Sequence, residues 1–175
     1  MQQKSGTIPS PKRAADLIKD AGGKVVGRTR LQKMAYFLEV AGLGDGFEFA
    51  YRHYGPYSEE LSQAVRRASL FGLLSEEVHA ASWGGSYSIY SSNGQSGRSS
   101  SKTRKELMEA ALNCDPVALE LAATALFLRR EGVESPWLET ARRKPEKVEG
   151  DMLVKAQELY SKLRALQPKK LPELS

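Results

Sequence analysis

The hydrophobic positions fall into two kinds of pattern, and the pattern changes near the middle of the chain. Ser10-Pro11 pairs a capping hydroxyl with a first-turn proline, and Ala14, Leu17, Ile18 and Ala21 follow at helical spacing until Gly22-Gly23. After the short extended piece Lys24–Gly27, a second helix is predicted over 29–41, with Leu31, Met34, Leu38 and Ala41 on one stripe. Phe47, Phe49, Tyr51 and His53 then alternate with Glu48, Ala50, Arg52 and Tyr54, a period of two that predicts a strand. Gly55-Pro56 breaks it, and Ser58 caps a third helix with Glu59 and Glu60 in its first turn and Leu61, Val65, Ala68 and Phe71 on its stripe. A hairpin is predicted next, over 74–80 and 86–91, turning near Ser82–Gly85.

Beyond Ser91 the pattern becomes helical throughout. Ser91–Ser101 carries no apolar residue and reads as a flexible linker or long surface loop. Helices are predicted over 102–113, from Asp115-Pro116 to Arg130, over 136–143, and through Met152, Ala156, Leu159, Leu163 and Leu166, whose alternating spacing of four and three is a packing seam. Three helices followed by a hairpin is the order of a winged helix. The expected fold is therefore mainly α with a small antiparallel β component: a winged-helix-like module (10–91), a Ser/Gly-rich loop or linker (92–101) and a C-terminal helical bundle (102–167) packed on it.

Composition narrows the chemistry. The 175 residues are 41% hydrophobic and 27% charged, enough apolar material for a real core. Net charge is +5, which permits a polyanionic partner without requiring one. One cysteine, Cys114, and two histidines, His53 and His79, leave no disulfide framework and no metal-ligand spacing, so neither a metal nor a cofactor is expected. No phosphate-cradling glycine loop or serine-hydrolase elbow is present, which makes a non-enzymatic protein the expectation; Cys114 or His53 would be the residues of an enzyme reading. His53 is expected to pack on the aromatic face of its strand. The amino terminus is polar, and the longest nearly apolar run, Val117–Leu128 with Glu120 inside it, is too short for a bilayer span, so a cytoplasmic protein without membrane association is expected.

Two segments stand out together: Gly27-Arg28-Thr29-Arg30-Leu31-Gln32-Lys33-Met34-Ala35-Tyr36-Phe37-Leu38 and Tyr54-Gly55-Pro56-Tyr57-Ser58-Glu59-Glu60-Leu61. The first resembles the arginine-x-x-leucine-glutamine-lysine helix of Panacea-like proteins of the YwgA-like branch, and the second resembles their tyrosine-glycine-proline-tyrosine-serine turn. Leu119–Leu128, Trp137, Lys144-Pro145 and Ala156–Leu163 look like the same branch's carboxy-terminal half. The Ser/Gly stretch departs from that pattern as an insertion. The resemblance implies an antitoxin of a toxin–antitoxin pair or a mobile-element protein that binds a toxin and blocks it or delivers it to a protease. It carries no established active site.

Candidate residues follow from both lines. Gly55-Pro56-Tyr57 reads first as a rigid turn. Gln32 and Lys33, polar among apolar neighbours, are expected to tie their helix to the Tyr54-Gly55 turn. As partner-binding candidates we take Arg28, Gln32, Lys33, Tyr54, Tyr57 and Trp83, with Trp83 at the hairpin tip and the exposed face of Thr29–Leu38 as the contacting surfaces. Trp137 is expected in the core. The alternative, a DNA-binding winged helix, would use Arg30, Arg66 and Arg67, although Glu59 and Glu60 oppose phosphate at the start of the reading helix. A protein partner is expected, DNA is the alternative, and the sequence leaves a homo-oligomer open.

Overall fold

Residues 10–94 and 99–175 are described by the computed structural model, and they form seven helices and two small antiparallel sheets. The chain runs α1 (Pro11–Asp20), β1 (Lys24–Val26), α2 (Arg28–Val40), β2 (Ala50–Arg52), β3 (Gly55–Tyr57), α3 (Glu59–Leu70), β4 (Ser75–Ala80) and β5 (Ser86–Ser91). It continues as α4 (Lys102–Leu112), α5 (Pro116–Arg130), α6 (Pro136–Arg143) and α7 (Met152–Leu166). The main sheet has the order β1-β5-β4, with Val26 opposite Ile89 and Val78 opposite Ser88. Helix, strand, two helices and a hairpin returning to that first strand make the winged-helix-like module expected from the periodicity. The second sheet is the β2–β3 pair, in which Tyr51 faces Pro56.

Local chemistry explains most boundaries. Ser58, Ser101 and Asp115 each accept from backbone N–H groups of the helix that follows, satisfying donors that a helix start leaves without partners. Helix α2 lacks such a side-chain cap and begins after Gly27, whose φ of 98° is open to glycine. The loop after α2 is pinned by the Glu39 carboxylate, which accepts from the Gly46 and Phe47 N–H groups at 2.7 and 3.0 Å.

Helix α2 is the axis of the molecule. Every residue from Leu31 to Leu38 is buried, because α2 meets α4 and α5 as well as β1, β3 and β5. The proposed exposed face of Thr29–Leu38 is thus absent beyond Arg30: a stripe of apolar residues on one side suggested a surface helix, but Gln32, Lys33 and Tyr36 are inside as well. One continuous core joins Ile18, Leu31 and Leu61 of the first half to Leu107, Leu126 and Leu163 of the second. Trp137 lies in it as expected, edge-on to Tyr160 at 6.1 Å.

Four further expectations change. The strand predicted over 47–54 is only three residues long, and Gly55-Pro56 does not simply end it. Gly55 at φ 88° reverses the chain, so that Gly55–Tyr57 returns as β3 beside β2. His53 falls at that turn and is exposed rather than packed. Phe71 leaves the α3 stripe because the helix stops at Leu70, and it is 64% exposed. The Ser/Gly stretch is anchored at both ends: Ser91 is in β5, the Ser92 hydroxyl donates to the Leu73 carbonyl at 3.0 Å, and Ser101 caps α4. Residues 95–98 of that stretch lie outside the described residues.

Gly55 also approaches α5 closely. A Cβ there would lie 2.5 Å from Thr124 Oγ1, on a backbone conformation that other residues resist. Gly55→Ala is expected to cost about 2–4 kcal/mol in urea unfolding. Adding Thr124→Ala should return the steric part and leave the backbone part.

Candidate partner interface

Gln32 and Lys33 occupy the first place where sequence and structure meet. The Gln32 amide donates through Nε2 to the Ser58 carbonyl at 3.0 Å and accepts through Oε1 from the Ser58 N–H at 2.8 Å. That is the pairing a neighbouring strand would provide, supplied by one side chain to the residue that links β3 to α3. Lys33 Nζ donates to the Pro56 carbonyl at 2.7 Å. The expected tie from helix to turn exists, but its partners are Pro56 and Ser58 rather than Tyr54-Gly55. Gln32 and Lys33 are 2% and 1% exposed, so neither can touch a docking protein, and both leave the partner-binding set.

Lys33 faces a charged cluster that the sequence did not reveal. Glu120 of α5, 4% exposed, receives Lys144 Nζ at 2.8 Å and Lys147 Nζ at 2.7 Å, and Lys144 also donates to the His53 carbonyl at 3.3 Å. Burial lowers the Lys33 pKa to about 7, with Glu120 pulling it up and Lys144 and Lys147 pushing it down. A second cluster was equally hidden: Arg104 of α4 reaches Asp20 at 3.0 Å, Asp45 at 3.2 Å and the Leu43 carbonyl, joining the end of α1, the loop after α2 and the second half of the chain. Only the wider spread of buried helix faces could have signalled either cluster, since each partner is remote in sequence.

The surface candidates gather elsewhere. Val26, Arg28, Thr29, Arg30, Tyr54, Val78, Trp83, Tyr87 and Pro116 line a groove of about 880 Å³ between the hairpin and the start of α2. Trp83 is 77% exposed and stacks on Tyr87 at 6.4 Å, which in turn stacks on His79 at 5.6 Å. Tyr54 is 57% exposed and carries Lys147 Nζ 4.8 Å above its ring. Val78 is 68% exposed. Arg28 is steered by Tyr90 Oη at 3.5 Å and Glu76 at 3.5 Å, contacts that raise its pKa further. The structure therefore brings Arg28, Tyr54 and Trp83 together. Tyr57 is half-buried in β3 and is not part of the groove.

The DNA candidates disperse. Arg30 Nη2 donates to the Cys114 carbonyl at 2.8 Å and so fastens α2 to the α4–α5 junction. Arg66 is exposed on α3, beside Glu59 and Gln63, while Arg67 is half-buried. The Cys114 thiol donates to the Ala111 carbonyl at 3.3 Å, and burial raises its pKa. The exposed His53 ring stands edge-on to its neighbour Tyr54 at 5.1 Å, and His79 pairs with Glu77 at 3.1 Å. Among the described residues no group of three or more metal-binding side chains occurs, and no helix is long and apolar enough to cross a membrane.

Comparison with known proteins adds one partial likeness. No family model matches the chain, and no solved structure gives a significant match. Over 62 residues the chain is 42% identical to a DNA ADP-ribosyl glycohydrolase of Thermus aquaticus. That stretch covers 33% of this chain and 17% of the relative, so the likeness spans a small part of an enzyme-named protein's length.

Two measurements check the buried tie. Gln32→Leu strands the Ser58 N–H and C=O and is expected to cost about 2–4 kcal/mol, whereas Ser58→Ala, which removes only the helix cap, costs about 1 kcal/mol. The lowered Lys33 pKa means that the unfolded chain holds this proton up to about pH 10 while the folded chain releases it near pH 7. Stability should therefore rise as pH increases from 7 towards 10, by at most about 1.4 kcal/mol per unit, and Lys33→Met should flatten that rise.

Proposed function

We propose that this chain is a non-enzymatic regulatory binding protein, antitoxin-like, that neutralises or delivers a protein partner in a toxin–antitoxin or phage-defence context. The supporting observation is the groove: Trp83, Val78 and Tyr54 expose apolar surface around Arg28, and the hairpin gains nothing in its own core from holding Trp83 outside. Tryptophan, tyrosine and arginine around a concave surface are the residue types that carry most binding energy at protein interfaces. The paired Arg28–Lys33 and Tyr54–Leu61 motifs support the Panacea-like reading. A stretch 42% identical to 17% of a longer protein fits a module that recurs inside larger chains. Because that stretch covers 33% of this chain, the relative's named activity is not carried over to it.

The winged-helix strand order supports DNA binding as a second reading, with Arg66 as its contact. The exposed face of α3 weighs against it, since Glu59 opens that face and Arg67 is half-buried.

Affinity purification of the tagged chain from its native host, with and without nuclease, separates the two. The partner reading expects a stoichiometric, nuclease-resistant protein that Trp83→Ala releases while the melting temperature stays unchanged. Recovery of nucleic acid alone, lost at higher salt and in Arg66→Ala, would replace it with the DNA reading.

A further inference from the structure

Strand β4 ends the main sheet, and its outer edge is free among the described residues. Which of its backbone groups are free follows from the ladder. Ala81 N–H donates to the Gly85 carbonyl at 2.8 Å, in register with the pairs Glu77–Ile89 and His79–Tyr87. On the other side of β5, Gly27 N–H donates to the Ser88 carbonyl and Ser92 N–H to the Gly23 carbonyl. Residues alternate sides in an antiparallel ladder, so Ser75, Glu77 and His79 bond inward to β5. The N–H and C=O groups of Glu76, Val78 and Ala80 point outward.

An exposed edge of this length is a template for another strand. We propose that its occupant is a second copy of this chain, paired antiparallel through β4 about a two-fold axis at Val78. In that register Val78 bonds to Val78 of the other copy and Glu76 to Ala80, and all the outward groups find partners. The pairs between them set Glu77 directly opposite His79 of the other copy, twice, on the face where His79 already stacks on Tyr87. Charge selects this register. Centring the pairing one residue earlier sets Glu77 against Glu77, and one residue later sets His79 against His79 with fewer residues overlapping. Val78, 68% exposed in the single chain, becomes the apolar centre of a continuous six-stranded sheet. Val78 also lines the partner groove, but the pairing uses its backbone N–H and C=O, so dimer formation is read separately from capture of a partner protein.

Sedimentation velocity of the full chain over a wide concentration range tests it. The wild type should dimerise. Val78→Pro removes only an outward N–H, so the hairpin remains and circular dichroism stays unchanged, while dimer affinity falls about a hundredfold. Glu77→Lys should weaken the dimer about tenfold, and Glu77→Lys/His79→Glu should restore it to within a few-fold. A wild type that stays monomeric overturns the proposal. So does a dimer indifferent to Val78→Pro, or, should that variant misfold, one in which the charge exchange does not rescue Glu77→Lys.

Discussion

The clasp of Gln32 on Ser58 is the contact on which the arrangement depends. Helix α2 is buried on all sides from Leu31 to Leu38, yet it carries an amide and an ammonium there. Buried polar groups are tolerable only when paired, and the β3–α3 junction provides the pairs: Ser58 gives both backbone groups to Gln32, and Pro56 gives its carbonyl to Lys33. The same requirement explains the neighbouring residues. Gly55 lets the chain come against Thr124 of α5, and Pro56 fixes a backbone whose carbonyl must point at Lys33. Motif residues that look like a binding signature are thus, in part, a lock between two elements of the module and the bundle behind it.

Charge finishes the join between the halves. Arg104 with Asp20 and Asp45 spans the two halves, while Glu120 with Lys144 and Lys147, all from the second half, reaches the first through the Lys144 bond to the His53 carbonyl. Such clusters add little net stability, but removing one member leaves an uncompensated charge inside, so they favour one docking arrangement over its alternatives. With the interior held this way, the hairpin anchors through Tyr90 and leaves Val78 and Trp83 exposed.

The helices were legible in the sequence because their caps and stripes are local. Asp115-Pro116, Ser58 and the seam of α7 place their helices within a residue or two of where they lie. The tie from Gln32 and Lys33 was legible as a need, since polar residues inside an apolar helix require partners; which carbonyls answer it was not. What failed had non-local causes. His53 looked inward-facing by alternation, but the reversal at Gly55 ends β2 before it. The supposed outer face of α2 vanished because α4 and α5, far along the chain, cover it. Of the surface candidates, Arg28, Tyr54 and Trp83 converge on one groove, which Arg30 also lines while fastening α2 to the Cys114 carbonyl, and Tyr57 lies outside it, half-buried in β3.

A photo-crosslinking residue placed at Trp83, with a second chain carrying it at Arg66, reads out in the native host which surface meets a partner. A partner seated on the groove gives one discrete protein adduct from position 83 and none of matching yield from position 66. Adducts to DNA from position 66, with nothing captured at 83, would contradict it.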